Sequence, residues 1–337
     1  MALLRGWLWL TIVLVFAMVV IGGATRLTGS GLSITEWKPV TGAIPPLTDG
    51  QWAAEFEKYR QIPQYQLLNK GMSLAEFKEI FWWEWSHRQL GRLIGLVFGL
   101  GLVGFALAGV LRGRLLLGVV GLAALGGLQG AIGWIMVASG LQPGMTAVAP
   151  VKLMAHLTTA SLIFTGLVAM VVAVTPARRP EASAAGLRRL AGWLVAAVLL
   201  QIALGALVAG SKAGLIYNTW PLIDGSVVPP LSSLFFGTPW FENLVDNHLT
   251  VQFNHRMVAY GLLILAVVQL WRTRSRVPGS PAAKRAGVIA GLVVAQAVVG
   301  IATLLMQVPL WLGLLHQAMA MVVLAMATVH WRRLATR

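Results

Sequence analysis

Cysteine is missing altogether from the 337 residues, which excludes disulfides, thiolate-bound metals and cysteine nucleophiles at once. Charge is almost as scarce: Asp, Glu, Lys and Arg make up 11% of the chain, with 11 acidic residues against 26 basic ones. Strict polar and apolar alternation is absent too, so a membrane β-barrel is disfavoured. What fills the sequence is apolar. It is 57% hydrophobic with a mean hydropathy of +0.76, more than a water-soluble fold can hide, so lipid is the solvent.

A hydrocarbon core of about 30 Å takes roughly 20 helical residues to cross. Apolar runs of that order fall near 5–25, 87–111, 114–137, 151–175, 188–210, 249–271, 285–307 and 309–331. The expected fold is therefore an all-α integral membrane protein of eight transmembrane helices, whose backbone groups all bond within their own segments. The first run resembles a signal peptide, since Arg5 precedes it, but it continues into Gly22-Gly23-Ala24-Thr25-Arg26 without a small-x-small cleavage site and is kept as a helix.

The net charge of +15 does not indicate nucleic acid, because the basic residues sort by side of the membrane. With the N-terminus in the cytoplasm, the inner segments hold Arg5, Arg112, Arg114, Arg178, Arg179, Arg188, Arg189, Arg272, Arg274, Arg276, Lys284, Arg285, Arg332, Arg333 and Arg337. Glu181 is the one acid among them. The positive-inside rule then puts both termini of this multi-pass protein in the cytoplasm; the expected location is the cell's inner (plasma) membrane. The long outer connection, 26–86, carries Trp52, Phe56 and Tyr59, then Phe77, Phe81, Trp82 and Trp85, at spacings that suggest short amphipathic helices lying on the membrane surface.

The second half echoes the first. Gly23-Ala24, Gly31-Leu32, Trp37, Gly42 and Pro45-Pro46 recur as Gly205-Ala206, Gly214-Leu215, Trp220, Gly225 and Pro229-Pro230. His87-Arg88 recurs as His255-Arg256, Gln129 and Gly133 as Gln296 and Gly300, and His156 as His316. Four helices per copy give both copies one orientation, so the expected arrangement is two four-helix bundles, 1–180 and 181–337, about a pseudo-twofold axis along the membrane normal. Gly126, Gly127, Gly130 and Gly133 are read as permitting close helix approach.

His87, His156, His255 and His316 each fall within about two turns of the outer end of a descending helix, two per half. Imidazoles at matched depth on parallel helices suit a flat macrocycle clamped from both faces, which is bis-histidine haem ligation. Zinc or copper would need further close ligands that the sequence does not offer. His248 and His330 have no repeat partner and are read as interfacial or structural. The halves differ at one position: Glu84 stands three residues before His87, where Gln252 stands three before His255. That carboxylate would share a helix face with the ligand and is the candidate catalytic group. Arg26, Arg88, Lys152 and Arg256 are candidate partners for haem propionates, since Arg matches carboxylates in bidentate fashion.

The segment Gly22-Gly23-Ala24-Thr25-Arg26-Leu27-Thr28-Gly29-Ser30-Gly31-Leu32-Ser33, with Trp37-Lys38-Pro39 and Gly42-Ala43-Ile44-Pro45-Pro46, resembles the opening signature of the heme A synthases. Glu84-Trp85-Ser86-His87-Arg88, the surroundings of His156, Asn254-His255-Arg256 and Leu315-His316-Gln317 follow in the same order. The resemblance covers essentially the whole chain. It implies a membrane oxidoreductase that takes heme O, the product of a farnesyltransferase, and oxidises a porphyrin methyl to a formyl, giving heme A for cytochrome oxidase alongside that enzyme's assembly factors. It implies a resident haem b on His255 and His316, substrate haem on His87 and His156, and Glu84 as the family's glutamate. Some members carry an outer-loop cysteine pair; this chain resembles the members without one. Two other classes remain open at this level, a pure electron-transfer cytochrome and a parallel-repeat transporter, as do the electron acceptor and homo-oligomerisation.

Overall fold

The computed structural model of the chain describes residues 1–176 and 185–334. Arg178, Arg179, Glu181, Arg337 and the expected boundary at 180/181 lie outside the described residues. Among the described residues the elements are helical, apart from one isolated bridge between Ile223 and Ser226. In chain order they are α1 (Ala2–Leu27), α2 (Asp49–Arg60), α3 (Pro63–Leu67), α4 (Leu74–Leu107), α5 (Gly113–Gly140), α6 (Pro150–Ala173), α7 (Ala185–Ser211), α8 (Ala213–Ile216), α9 (Leu231–Leu234), α10 (His248–Arg276), α11 (Pro281–Leu305) and α12 (Leu310–Arg333), with single 3-10 turns at Thr41–Ala43 and Trp240–Leu244. Eight of these, α1, α4, α5, α6, α7, α10, α11 and α12, are long and apolar enough to cross a bilayer, in agreement with the eight runs read from the sequence.

Several helix starts are written locally. Asn247 accepts from the backbone of Leu249 and Thr250 to cap α10. Ser280 caps α11 through Ala283, and Pro281 sits where a missing N–H costs nothing. Ser73 and Glu76 form a reciprocal capping box on α4. That last cap starts α4 well before the expected span at 87, which corrects the surface-helix reading of Phe77 to Trp85.

The reason is packing. The buried residues of α4, Phe77, Phe81 and Glu84, line one face of its first turns, and this face walls in α2. Tyr59 and Phe77 are fully buried, and Trp52 and Phe81 nearly so. Rings meet at 5.3 Å for Tyr59 and Phe77 and at 4.9 Å for Trp52 and Phe81. Most aromatics of the long connection therefore form a core of their own, with Trp37, Trp82 and Trp83 left exposed. The Tyr59 hydroxyl donates to Gln64 Oε1 and accepts from Asn69, while Gln64 Nε2 donates to the carbonyl of Gly29 and fastens this cap to the end of α1. On its rim Lys58 reaches Glu36 at 2.6 Å and Glu55 at 2.7 Å. Hydrogen bonds from Lys38 and Lys58 hold the Glu36 carboxyl below its ordinary 4.5, so this rim contact is present above that pH and is lost as pH falls through the lowered value.

Helix packing follows one pattern twice. In the first half α1 packs on α4 and α6, and α5 packs on α4 and α6; in the second, α7 packs on α10 and α12, and α11 packs on α10 and α12. The two sets meet where α6 packs on α7, α1 on α12, and α6 on α12. The main core lies at that junction, in Leu8, Val15, Leu167, Leu194, Val198 and Leu324. The other helices turn apolar surface outward: 44% of the most apolar window of α1 is buried and none of that of α4. Leu96, Leu100 and Leu107 on α4 are accordingly exposed to what a bilayer would supply.

Phe77→Ala should cost the cap about 3–5 kcal/mol, the usual range for emptying a buried aromatic site. Limited proteolysis in detergent is expected to cut the 34–72 segment faster in that variant while the fragments of α5 to α12 survive unchanged.

Candidate functional site

Each of the four histidines projects from a helix that its partner's helix does not closely pack. His87 on α4 and His156 on α6 stand across the first set of helices, with α1 on one side and α5 on the other; His255 on α10 and His316 on α12 stand in the same relation about α7 and α11. His87 lies in the fourth turn of α4, deeper along its helix than the two turns expected, because the helix begins at Leu74.

The seat of each ring is a glycine on the neighbouring helix. A methyl on Gly133 of α5 would stand 2.8 Å from His156 Cε1, and one on Gly300 of α11 would stand 2.7 Å from His316 Cε1. On α7, Gly205 would approach His255 Cε1 to 3.1 Å, and on α1, Gly22 would approach His87 Nε2 to 3.0 Å. These glycines give clearance to the imidazoles. Around Gly126, Gly127 and Gly130 a methyl would meet nothing within 4 Å, so the close-approach reading holds for Gly133 and fails for the other three.

One turn before three of these glycines stands a glutamine. Gln129 Nε2 donates to the carbonyl of His156 at 3.0 Å, Gln201 Nε2 to that of His255 at 3.0 Å, and Gln296 Nε2 to that of His316 at 2.9 Å. The same amide nitrogens lie 3.1–3.3 Å from ring nitrogens of those histidines. Gln201 escaped the sequence reading because its counterpart in the first half is not a glutamine. The register that places Gly31 on Gly214 and Trp37 on Trp220 places Gly22, not Gly23, on Gly205, and Met18 on Gln201. Gly23 serves another contact: it leaves room for Gln317 of α12, whose Nε2 donates to the carbonyl of Val19 on α1 across the junction.

Glu84 is 2% exposed and fully engaged. Its Oε2 accepts from Ser33 Oγ and Ile34 N, both at 2.8 Å, and its Oε1 accepts from Arg88 Nη2 at 2.6 Å and Nε at 3.0 Å. Arg88 also donates to the carbonyls of Ile34 and Glu36. Arg256 makes the equivalent clamp, donating to the carbonyls of Tyr217, Thr219 and Leu222. Its surroundings differ in charge. With Gln252 in the place of Glu84, Arg256 has no ion pair among the described residues, and its Nε and Gln252 Oε1 are buried without partners.

The remaining candidates scatter. Arg26 donates to the carbonyl of Ala209, capping the last turn of α7 from the other half. Lys152 lies in a surface depression with Trp134, Ile135 and Gln142. His248 is exposed at the start of α10, and His330 is fully buried near the far end of α12, with its Nε2 2.7 Å from Gln269 Nε2. No cluster of three or more His, Asp or Glu suited to a bare metal ion occurs among the described residues.

Eight bilayer-length helices, with histidines matched in position across two helix sets, define a multi-pass membrane protein. Residues 5–328 match the family described as cytochrome oxidase assembly protein. The chain is 64% identical over 329 residues to a protein of Methylobacterium sp. (97% of this chain, 91% of the relative), 59% identical over 331 residues to one of Methylorubrum extorquens strain PA1 (97% and 86%) and 55% identical over 331 residues to one of Brucella anthropi (98% and 91%); each of these is named heme A synthase. The chain belongs to this cytochrome oxidase assembly family of heme A synthases.

Gly300→Ala forces a methyl against the His316 ring and should destabilise the protein by about 1–3 kcal/mol through overpacking. Gly291→Ala, about two and a half turns earlier on the same helix and in open space, should be neutral or stabilise by up to about 1 kcal/mol through helix propensity. Thermal melts of both variants in detergent check the contrast.

Proposed function

We propose that this chain is a heme A synthase, which binds heme O and oxidises a methyl group on the porphyrin rim to the formyl group of heme A. The observation that carries the reading is the pairing of imidazoles across each helix set, every ring seated against a glycine. Such a seat fits a flat macrocycle held from both faces better than it fits a bare ion. The first half, 1–180, is the substrate half, with heme O between His87 and His156. In the second, 181–337, His255 and His316 would hold a haem b. That group supplies a redox centre for the electrons removed from the substrate.

The chain's own part is orientation, charge and exclusion of water. His87 and His156 fix the substrate's plane between α4 and α6. Arg256, buried and without an acid opposite, suits a propionate of the resident haem. Arg88 is already neutralised by Glu84 and holds the backbone of 34–36, while Arg26, which caps α7, and Lys152, in a surface depression, are further candidates for a propionate. Glu84, one turn from His87, is placed to accept a proton as the methyl carbon loses hydrogen and gains oxygen. A second reading of Glu84 has an observation of its own: with Ser33, Ile34 and Arg88 all bonded to it, it acts as a pin that closes the cap over the site.

The orientation follows the arginines: both termini face the cytoplasm in the cell's inner membrane, and the histidines lie toward the outer leaflet. The partners are a farnesyltransferase that delivers heme O, the oxidase assembly factors that take heme A, and the bilayer itself. Purified Glu84→Ala should retain both haems and form less than about a hundredth of the heme A, the loss typical of removing a general base; unchanged heme A would remove the catalytic role. If Glu84 is only a pin, Glu84→Ala loses product in proportion to faster proteolysis of the cap. His87→Ala should lose the substrate porphyrin alone and His255→Ala the haem b alone, as resolved by pyridine haemochrome spectra and mass analysis of extracted pigment.

A further inference from the structure

Four helices seat the four histidines, and one seat differs from the rest. On α5, α7 and α11 the seat is a glutamine followed one turn later by a glycine: Gln129 and Gly133, Gln201 and Gly205, Gln296 and Gly300. Each glutamine donates to the backbone carbonyl of the histidine it faces, at 2.9–3.0 Å. The glycine admits the ring, and the amide fixes the histidine's helix at the level of the ring. On α1 the glycine is present as Gly22, and the glutamine's place is taken by Met18. The Met18 methyl carbon packs against Gly91, one turn along α4 from His87, which is the turn a glutamine there would address. A thioether has no hydrogen to donate. His87 has no side-chain hydrogen bond among the described residues.

We propose that Met18 makes His87 the least firmly held of the four axial ligands, and that this single difference marks the seat from which a porphyrin is exchanged. The inference rests on the assignment of the histidines to haem iron. Groups that orient a metal-binding histidine change affinity by about 10–100-fold in other proteins. An interhelical hydrogen bond in a membrane protein is worth about 1 kcal/mol, which is about fivefold in a dissociation constant. A resident haem gains from three-point seating on both its ligands, Gln201 for His255 and Gln296 for His316. A substrate that must leave as product gains from one ligand, His156, that is fixed by Gln129, and one, His87, that yields. Gln129, Gln201 and Gln296 are on this account positioning residues, and Met18 is the specificity-determining absence of one.

The test is a reciprocal exchange in the full-length protein in detergent, reconstituted with haem b as the probe for both pairs. Transfer of haem to excess apomyoglobin is followed by visible absorption, and the low-spin ferric signals are recorded by EPR. The native protein should release haem in two phases, the faster abolished by His87→Ala. Met18→Gln should slow the fast phase about fivefold or more and shift only the EPR signal assigned to the His87 pair; Gln201→Met should speed the slow phase by a similar factor. Because Met18→Gln is expected to strengthen retention, a folding defect cannot mimic it. Equal rates and unchanged EPR in Met18→Gln, with both haems bound, would overturn the proposal while leaving the ligand assignment intact. Retention of both haems after His87→Ala and His255→Ala would overturn the assignment itself.

Discussion

An imidazole projecting from one membrane helix needs a neighbour that gives it room and a contact that fixes its angle. In lipid no hydrophobic force draws helices together, so close packing at small residues and a few interhelical hydrogen bonds decide where a polar ring can sit. The glycines that face His87, His156, His255 and His316 meet the first need, and the glutamine amides meet the second in three places. The arrangement of helices serves this seating. α1 and α5 stand between α4 and α6, α7 and α11 do the same for α10 and α12, and the gap between the paired histidines is set by those intervening helices.

The two halves share a skeleton and differ in electrostatics. Arg88 and Arg256 hold equivalent stretches of loop backbone, 34–36 and 217–222. Glu84 neutralises the first arginine, while Gln252 leaves the second with net positive charge in a buried setting. A buried charge without a counter-charge is costly unless a ligand supplies one. The asymmetry leaves an unbalanced positive charge beside Arg256 and a self-contained ion pair at Arg88.

Much of this was legible in the residues. Hydropathy placed all eight spanning helices, since apolar length is a strong constraint on its own. The histidines were found because the duplication places His87 with His255 and His156 with His316. What escaped detection depends on contacts between distant segments. The start of α4 at Leu74 was hidden because Phe77 and Phe81 read equally well as surface anchors until α2 is seen to cover them. Gln201 was hidden because a repeat search looks for sameness, and its counterpart is Met18. The glycine register was one residue off for a similar cause: Gly22 and Gly23 adjoin, and only the positions of His87 and Gln317 tell which one seats the ring. The engagement of Glu84 by Ser33 and Ile34 could not be read either, for those residues lie about fifty positions away in the chain.

The unbroken course of α4 from Leu74 to Leu107 has a mechanical consequence. The aromatic cap and His87 ride on one continuous helix with no break between them. Any tilt of the cap would therefore be carried along the helix axis to the turn of His87, and the ion pair of Glu84 with Arg88 ties that same turn to the backbone of 34–36.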